Sequence, residues 1–161
     1  MNDVHPEPDQ RLPTQARTLF AFQSLMAAAP LALLALGARS ALAAAGAPDW
    51  TGIAVLALAA VAAVVLVAVE PRLRWRNWRY ALRDEEIDLR RGVIVVTRTL
   101  IPTIRVQHVD TQRTWLSDRL GLRAVVIHTA GGSHRIPALH PDTATAIRDR
   151  IAELARRPDD V

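Results

Sequence analysis

The sequence predicts an α+β chain in which a two-helix transmembrane hairpin precedes a small domain of short antiparallel strands, closed by a C-terminal helix. Three observations predict it. Two apolar runs of twenty residues, Leu19–Ala38 and Trp50–Val69, follow one another near the N-terminus. After Pro71 the pattern changes to short alternating segments separated by turn residues. From Pro141 the apolar residues recur at helical spacing.

The totals agree with an anchor. Half of the 161 residues are hydrophobic and 22% are charged, and the mean hydropathy of +0.11 is high for a soluble domain of that charge content. At about 100 to 200 residues per domain, the length holds one anchor and one small domain. The expected division is a flexible cytoplasmic tail over 1–18, the anchor over 19–70 and a cytoplasmic domain over 71–157. The absence of cysteine excludes disulfides, thiolate metal sites and cysteine nucleophiles. All 20 basic residues are arginine, a composition of GC-rich bacterial genomes. The net charge of +4 would suit nucleic acid, but Arg72, Arg74, Arg76 and Arg79 gather beside the second apolar run. There anionic headgroups favour each by about 1 kcal/mol, so the expected partner is membrane lipid and not nucleic acid.

Met1–Arg17 mixes Pro6, Pro8 and Pro13 with Asp3, Glu7 and Asp9, too little apolar surface to order itself. Leu19–Ala38 then matches the length of helix that crosses a hydrocarbon core of about 30 Å. Pro30 in its middle is tolerated in a span, where neighbours repair the lost hydrogen bond. Ala43–Ala45 would suit signal cleavage, but the run exceeds the 7 to 15 residues of a signal core. Trp50–Val69 is the cleaner span, without a charge between Asp49 and Glu70. Trp50 suits one interface, and Trp75, Trp78 and Tyr80 suit an aromatic belt at the other. Six arginines flank the spans outside the hairpin and only Arg39 lies between them, which puts both termini in the cytoplasm of a bacterial plasma membrane. Arg39 itself can snorkel to water.

In the domain, Trp78–Leu82 reads as a strand and Asp84–Glu86 as a turn. Ile87–Arg91 alternates apolar and charged residues, and Gly92 turns the chain into an expected partner strand, Val93–Val96. Ile104–Thr111 is a further strand, and Ser117–Gly121 a helical turn ending at glycine. Arg123–Thr129 and Ser133–Ile136 flank Ala130–Gly132 as a second hairpin. Six or seven short strands result. Pro141 opens the last helix, expected to reach Arg157, with Asp142 in its first turn. Ala144, Ile147, Ile151 and Leu154 form one apolar stripe that must cap a sheet.

The segments Arg79–Leu82, Arg91–Val93, Ile101–Pro102, Arg105–Asp110, Leu120–Leu122 and His128–Gly131 occur in an order and spacing that resemble the bacterial pleckstrin-homology-like domain of YdbS-type membrane proteins. The resemblance covers Pro71–Leu154, and the two spans ahead of it fit the same family. It implies a PH-like fold, with two near-orthogonal antiparallel β-sheets capped by a C-terminal helix. It also implies a partner that is often a larger membrane protein bearing several such domains. Thr114–Trp115 departs from the pattern, where a smaller Gly-containing turn is expected.

The candidate site residues fall into two sets. Arg72, Arg74, Arg76, Arg79, Trp75 and Trp78 are expected at the lipid surface. Gln107, His108, Asp110, Gly121, Thr129 and Gly131 carry the family resemblance and are expected to be structural. Gln107, His108 and Asp110 cannot all converge on one ligand, because successive strand residues point to opposite faces. The histidines lack helical metal-site spacing, and Gly131–Gly132 lacks the lysine and hydroxyl of a phosphate loop. No catalytic residue, metal or cofactor is expected. The sequence thus predicts a non-enzymatic, membrane-anchored interaction module, self-association being one form of its partnership. Anionic-lipid sensing is the alternative.

Overall fold

In a computed structural model, residues 6–156 are described. Two helices of 29 residues, Ala16–Ala44 and Asp49–Asn77, are long and apolar enough to cross a membrane by length and composition. The first is α1, unbroken through Pro30. The second comprises α2 (Asp49–Val64), a π-helical turn (Val65–Val69) and α3 (Glu70–Asn77). The chain divides into two compact units, one spanning Phe20–Leu73 and the other joining the residues up to Leu19 with those from Arg74 onward.

Within the first unit, Ser24 sits inside the apolar run and needs an acceptor. Its hydroxyl lies 3.0 Å from the Phe20 carbonyl oxygen and 2.7 Å from Glu70 Oε2, tying α1 to the far end of the second helix. Gly52 leaves space for the stem of Arg39, whose Cγ would lie 2.9 Å from a Cβ at that position.

The second unit contains two antiparallel sheets. The first has the order β1–β2–β3–β4: Gln10–Arg11, Arg79–Leu82, Glu86–Arg91 and Thr97–Pro102. The second has the order β5–β6–β7: Val106–Gln112, Arg123–Thr129 and Gly132–Leu139. Ile87, Val125, Ile127, Ile136 and Ile151 are fully buried and form the core between these elements. Helix α5 (Pro141–Leu154) buries Ala144, Ile147, Ile151 and Leu154, the stripe that its periodicity predicts. It ends three residues short of the expected limit, and Arg157 lies outside the described residues.

Two expectations change. Val93–Val96 is not a strand: β3 pairs instead with Thr97–Pro102, and the apolar run is the connection between them. Gly92 at φ +127° begins that connection with a backbone turn only glycine adopts easily, and a Cβ there would lie 1.9 Å from the Val95 carbonyl oxygen. Residues 6–17, ahead of the first span, are not a free tail either. Gln10 and Arg11 pair with Tyr80 and Arg79, and Leu12 and Ala16 are buried. Arg83 and Arg98 both donate to the Pro6 carbonyl, and Arg90 pairs with Glu7 at 2.9 Å. Partners distant in sequence supply the order that local composition does not.

Candidate binding surfaces of the domain

The residues expected at the lipid surface divide by environment. Arg72 and Arg76 on α3 are exposed and Arg74 is half-buried. Trp78 and Tyr80 are 3% and 4% exposed and meet edge-to-face at 6.4 Å. They are core residues, so the expected aromatic belt does not include them. Tyr80 lies in β2, where its neighbour Ala81 on the other face is buried as well, and Trp78 immediately precedes that strand. Trp75 is held within the domain as well. Its indole N–H reaches the Leu12 and Pro13 carbonyls at 3.0 and 3.1 Å, and the Arg17 guanidinium lies 5.5 Å from its ring centre. Arg79 donates to the Trp78 carbonyl at 2.9 Å, and burial, then the nearby Arg11 and Arg90, lowers its pKa from the ordinary value.

Of the residues expected to be structural, Gln107, Gly121, Thr129 and Gly131 lie at a bulge, a helix end and a turn, whereas His108 and Asp110 pair regularly within β5. Gln107 occupies a bulge between Val106 and His108. Thr114 caps the short helix α4 (Trp115–Arg119) in a reciprocal capping box with Ser117, which explains the departure from the familiar turn. Gly121 at φ +63° ends that helix, where Leu122 and Gly121 N–H donate to the Ser117 and Asp118 carbonyls at 2.7 and 3.0 Å. This is the paired closure of a Schellman motif. In the β6–β7 turn, Thr129 Oγ1 accepts from Gly131 N–H at 3.2 Å and lies 3.0 Å from the Gly132 carbonyl oxygen.

The surfaces with capacity to bind something lie elsewhere. Ile94, Val95 and Val96 are 96%, 75% and 48% exposed, and Asn77 fixes the base of their loop by donating to the Gly92 carbonyl at 3.1 Å. Strand β4, which follows, is an edge strand whose outer backbone groups pair with no other strand among the described residues. Leu100 within it and Ile104 just beyond it are also exposed. Its one charged side chain, Arg98, is turned onto the buried Asp88, with Nη2 2.8 Å from Oδ2. The edge therefore lacks the charges and prolines that discourage strand addition, apart from Pro102 at its end. Beside it, an open groove of about 570 Å³ runs from Leu100, Pro102 and Ile104 to Gln107, Gly131 and His134. Sequence reasoning missed this edge because it assigned the apolar run to the strand and so placed Ile94–Val96 in the sheet.

The sequence profile of the bacterial PH domain matches residues 19–155. The chain belongs to the bacterial PH domain family. The match begins at the first span, so the membrane helices lie inside the family pattern. The chain is also 41% identical over 113 residues to the UPF0699 transmembrane protein YdbS of Bacillus subtilis (strain 168), covering 70% of this chain and 71% of that protein. No solved structure matches it. The chain is thus a membrane protein with a bacterial PH domain: two apolar helices, two antiparallel sheets and a C-terminal helix.

Proposed function

We propose that this bacterial PH domain protein is a non-enzymatic adaptor, in which the domain docks a second membrane protein bearing PH-like domains. The observation that carries the reading is the unprotected β4 edge flanked by the exposed Ile94, Val95, Leu100 and Ile104. An edge strand supplies a row of backbone hydrogen-bonding groups, and alternate side chains supply selectivity, which is the chemistry of strand addition. Exposed apolar clusters on a small domain mark such contact sites.

The membrane arrangement follows the same reading, with both termini cytoplasmic. Arginine placement favours it, and the β1–β2 pairing favours it too, because residues before the first span and after the second must then share a side. Strep-tagged full-length protein, solubilised in mild detergent, should retain its partner. Leu100→Arg should abolish that retention while leaving the melting temperature within about 2 °C of the parent, as expected for an exposed position. Unchanged capture by Leu100→Arg would refute the docking edge. The exposed Arg72 and Arg76 support lipid sensing as a second reading. In that case Arg72→Gln with Arg76→Gln weakens binding to anionic vesicles, in a salt-dependent way, and Leu100→Arg leaves it intact.

A further inference from the structure

Three side chains outside the docking edge meet on one face of the second sheet. His108 and Asp110 are two apart on β5 and share a face, and the strand register sets His128 of β6 opposite His108. The two imidazoles stack with centroids 4.2 Å apart and planes 10° from parallel. Asp110 Oδ2 lies 3.2 Å from His128 Nε2 and 3.8 Å from His108 Nε2. One donor atom from each residue falls within 4.8 Å of the other two. Ligand atoms held about 2.0 to 2.2 Å from a common ion lie roughly 3.0 to 3.6 Å apart. Closing this triangle on an ion requires the two rings to rotate out of their stack, because each nitrogen lone pair lies in its own ring plane.

A plain histidine–aspartate contact is the alternative account, at an ion-pair distance but not aligned as a hydrogen bond. Nε2 of His128 is buried and makes no hydrogen bond, although the carboxylate oxygen is 3.2 Å away. A buried polar atom left without a partner is costly. An ion lying between the nitrogen and the oxygen gives each a bond.

We infer that His108, Asp110 and His128 form a binding site for a divalent transition ion such as zinc. Two imidazole nitrogens with one carboxylate oxygen suit zinc, iron(II), cobalt or nickel, whereas calcium and magnesium take oxygen donors. Three protein ligands leave coordination open, and the side chains of His108 and Asp110 are 59% and 55% exposed. The open position can hold water or a donor from another molecule. The assignment stands apart from the docking edge and does not depend on it.

Zinc is the probe. Full-length protein, purified in mild detergent through a tag without histidine and stripped with EDTA, is dialysed against zinc and then against metal-free buffer. It should keep about one zinc per chain by elemental analysis and melt at a higher temperature than the stripped protein, because an ion that binds only the folded state stabilises it. His108→Ala and Asp110→Asn sit at exposed positions and should fold. Each should weaken zinc affinity at least about tenfold in a chelator competition, since loss of outer-shell partners alone costs that much. Both should lose the melting shift, and His134→Ala should keep it. Retention far below one zinc per chain by the parent, or a His108 or Asp110 variant that binds as tightly as the parent, overturns the site.

Discussion

Asp88 shows what a single residue position conceals. Its place in an alternating strand reads as solvent-facing, yet it is fully buried. The guanidinium of Arg98 bridges its carboxylate, with Nε 3.1 and 3.2 Å from the two oxygens and Nη2 2.8 Å from Oδ2. Arg83 adds a contact at 3.7 Å. Removing a buried carboxylate strands its partners at a cost of about 3 to 5 kcal/mol, and because Arg98 keeps 24% of its side chain exposed the lower end applies. Asp88→Ala should therefore cost about 2 to 4 kcal/mol in thermal or denaturant melts, and an unchanged midpoint would place that pair outside the stabilising core. Tyr80 gives a pH signature. Burial, with a smaller contribution from Asp9, raises its pKa above the usual 10.0. A raised folded value means that its stabilising contribution is whole below about pH 10 and is lost as pH climbs through the folded pKa. Tyr80→Phe should flatten that alkaline loss, and titrations of the two proteins that coincide above pH 10 would contradict it.

Among the elements, those with strong local signals were readable and those set by pairing were not. Helix α5 could be read to its buried residues, because a proline start and a 3–4–3 apolar stripe specify one face. Ile151→Asp would put an unpaired charge into a fully buried site and should cost several kcal/mol, on the order of 3 to 5; a melt like the parent's would remove α5 from the core. The β3–β4 hairpin was misplaced by four residues because apolar content suggested strand and only the register could show otherwise. Gly92 now fixes that connection. Gly92→Ala would force a Cβ to within 1.9 Å of the Val95 carbonyl oxygen at φ +127°. It should destabilise the domain by at least about 1 to 3 kcal/mol, read as a lowered melting temperature. The meeting of His108, Asp110 and His128 was equally illegible. His128 stands eighteen positions beyond Asp110, and only the β5–β6 register makes them neighbours.

For the molecule as a whole, hydropathy made the two spans legible, and the order of turn and strand segments made the domain legible. Neither revealed that Gln10–Arg11, ahead of the first span, is part of the domain's sheet. Deleting residues 1–12 removes β1 and the buried Leu12, so the remaining protein should lose about 1 to 3 kcal/mol, as expected for burying one large apolar side chain. An unshifted melt would make β1 dispensable. Reporter fusions after Val161 should be active on the cytoplasmic side, and a periplasm-active fusion would reverse the orientation. The β1–β2 pairing also orders the protein's biogenesis. A ribosome releases β1 first, then both spans, and β2 last; at about 5 to 20 residues per second, β1 waits several seconds for its neighbour. With both termini cytoplasmic, as proposed above, β1 and β2 pair only once the hairpin has entered the bilayer and returned. On that arrangement, failed insertion would leave β2 without β1, a bare edge of the kind on which chains aggregate, so completion of the domain's sheet would depend on insertion of its anchor.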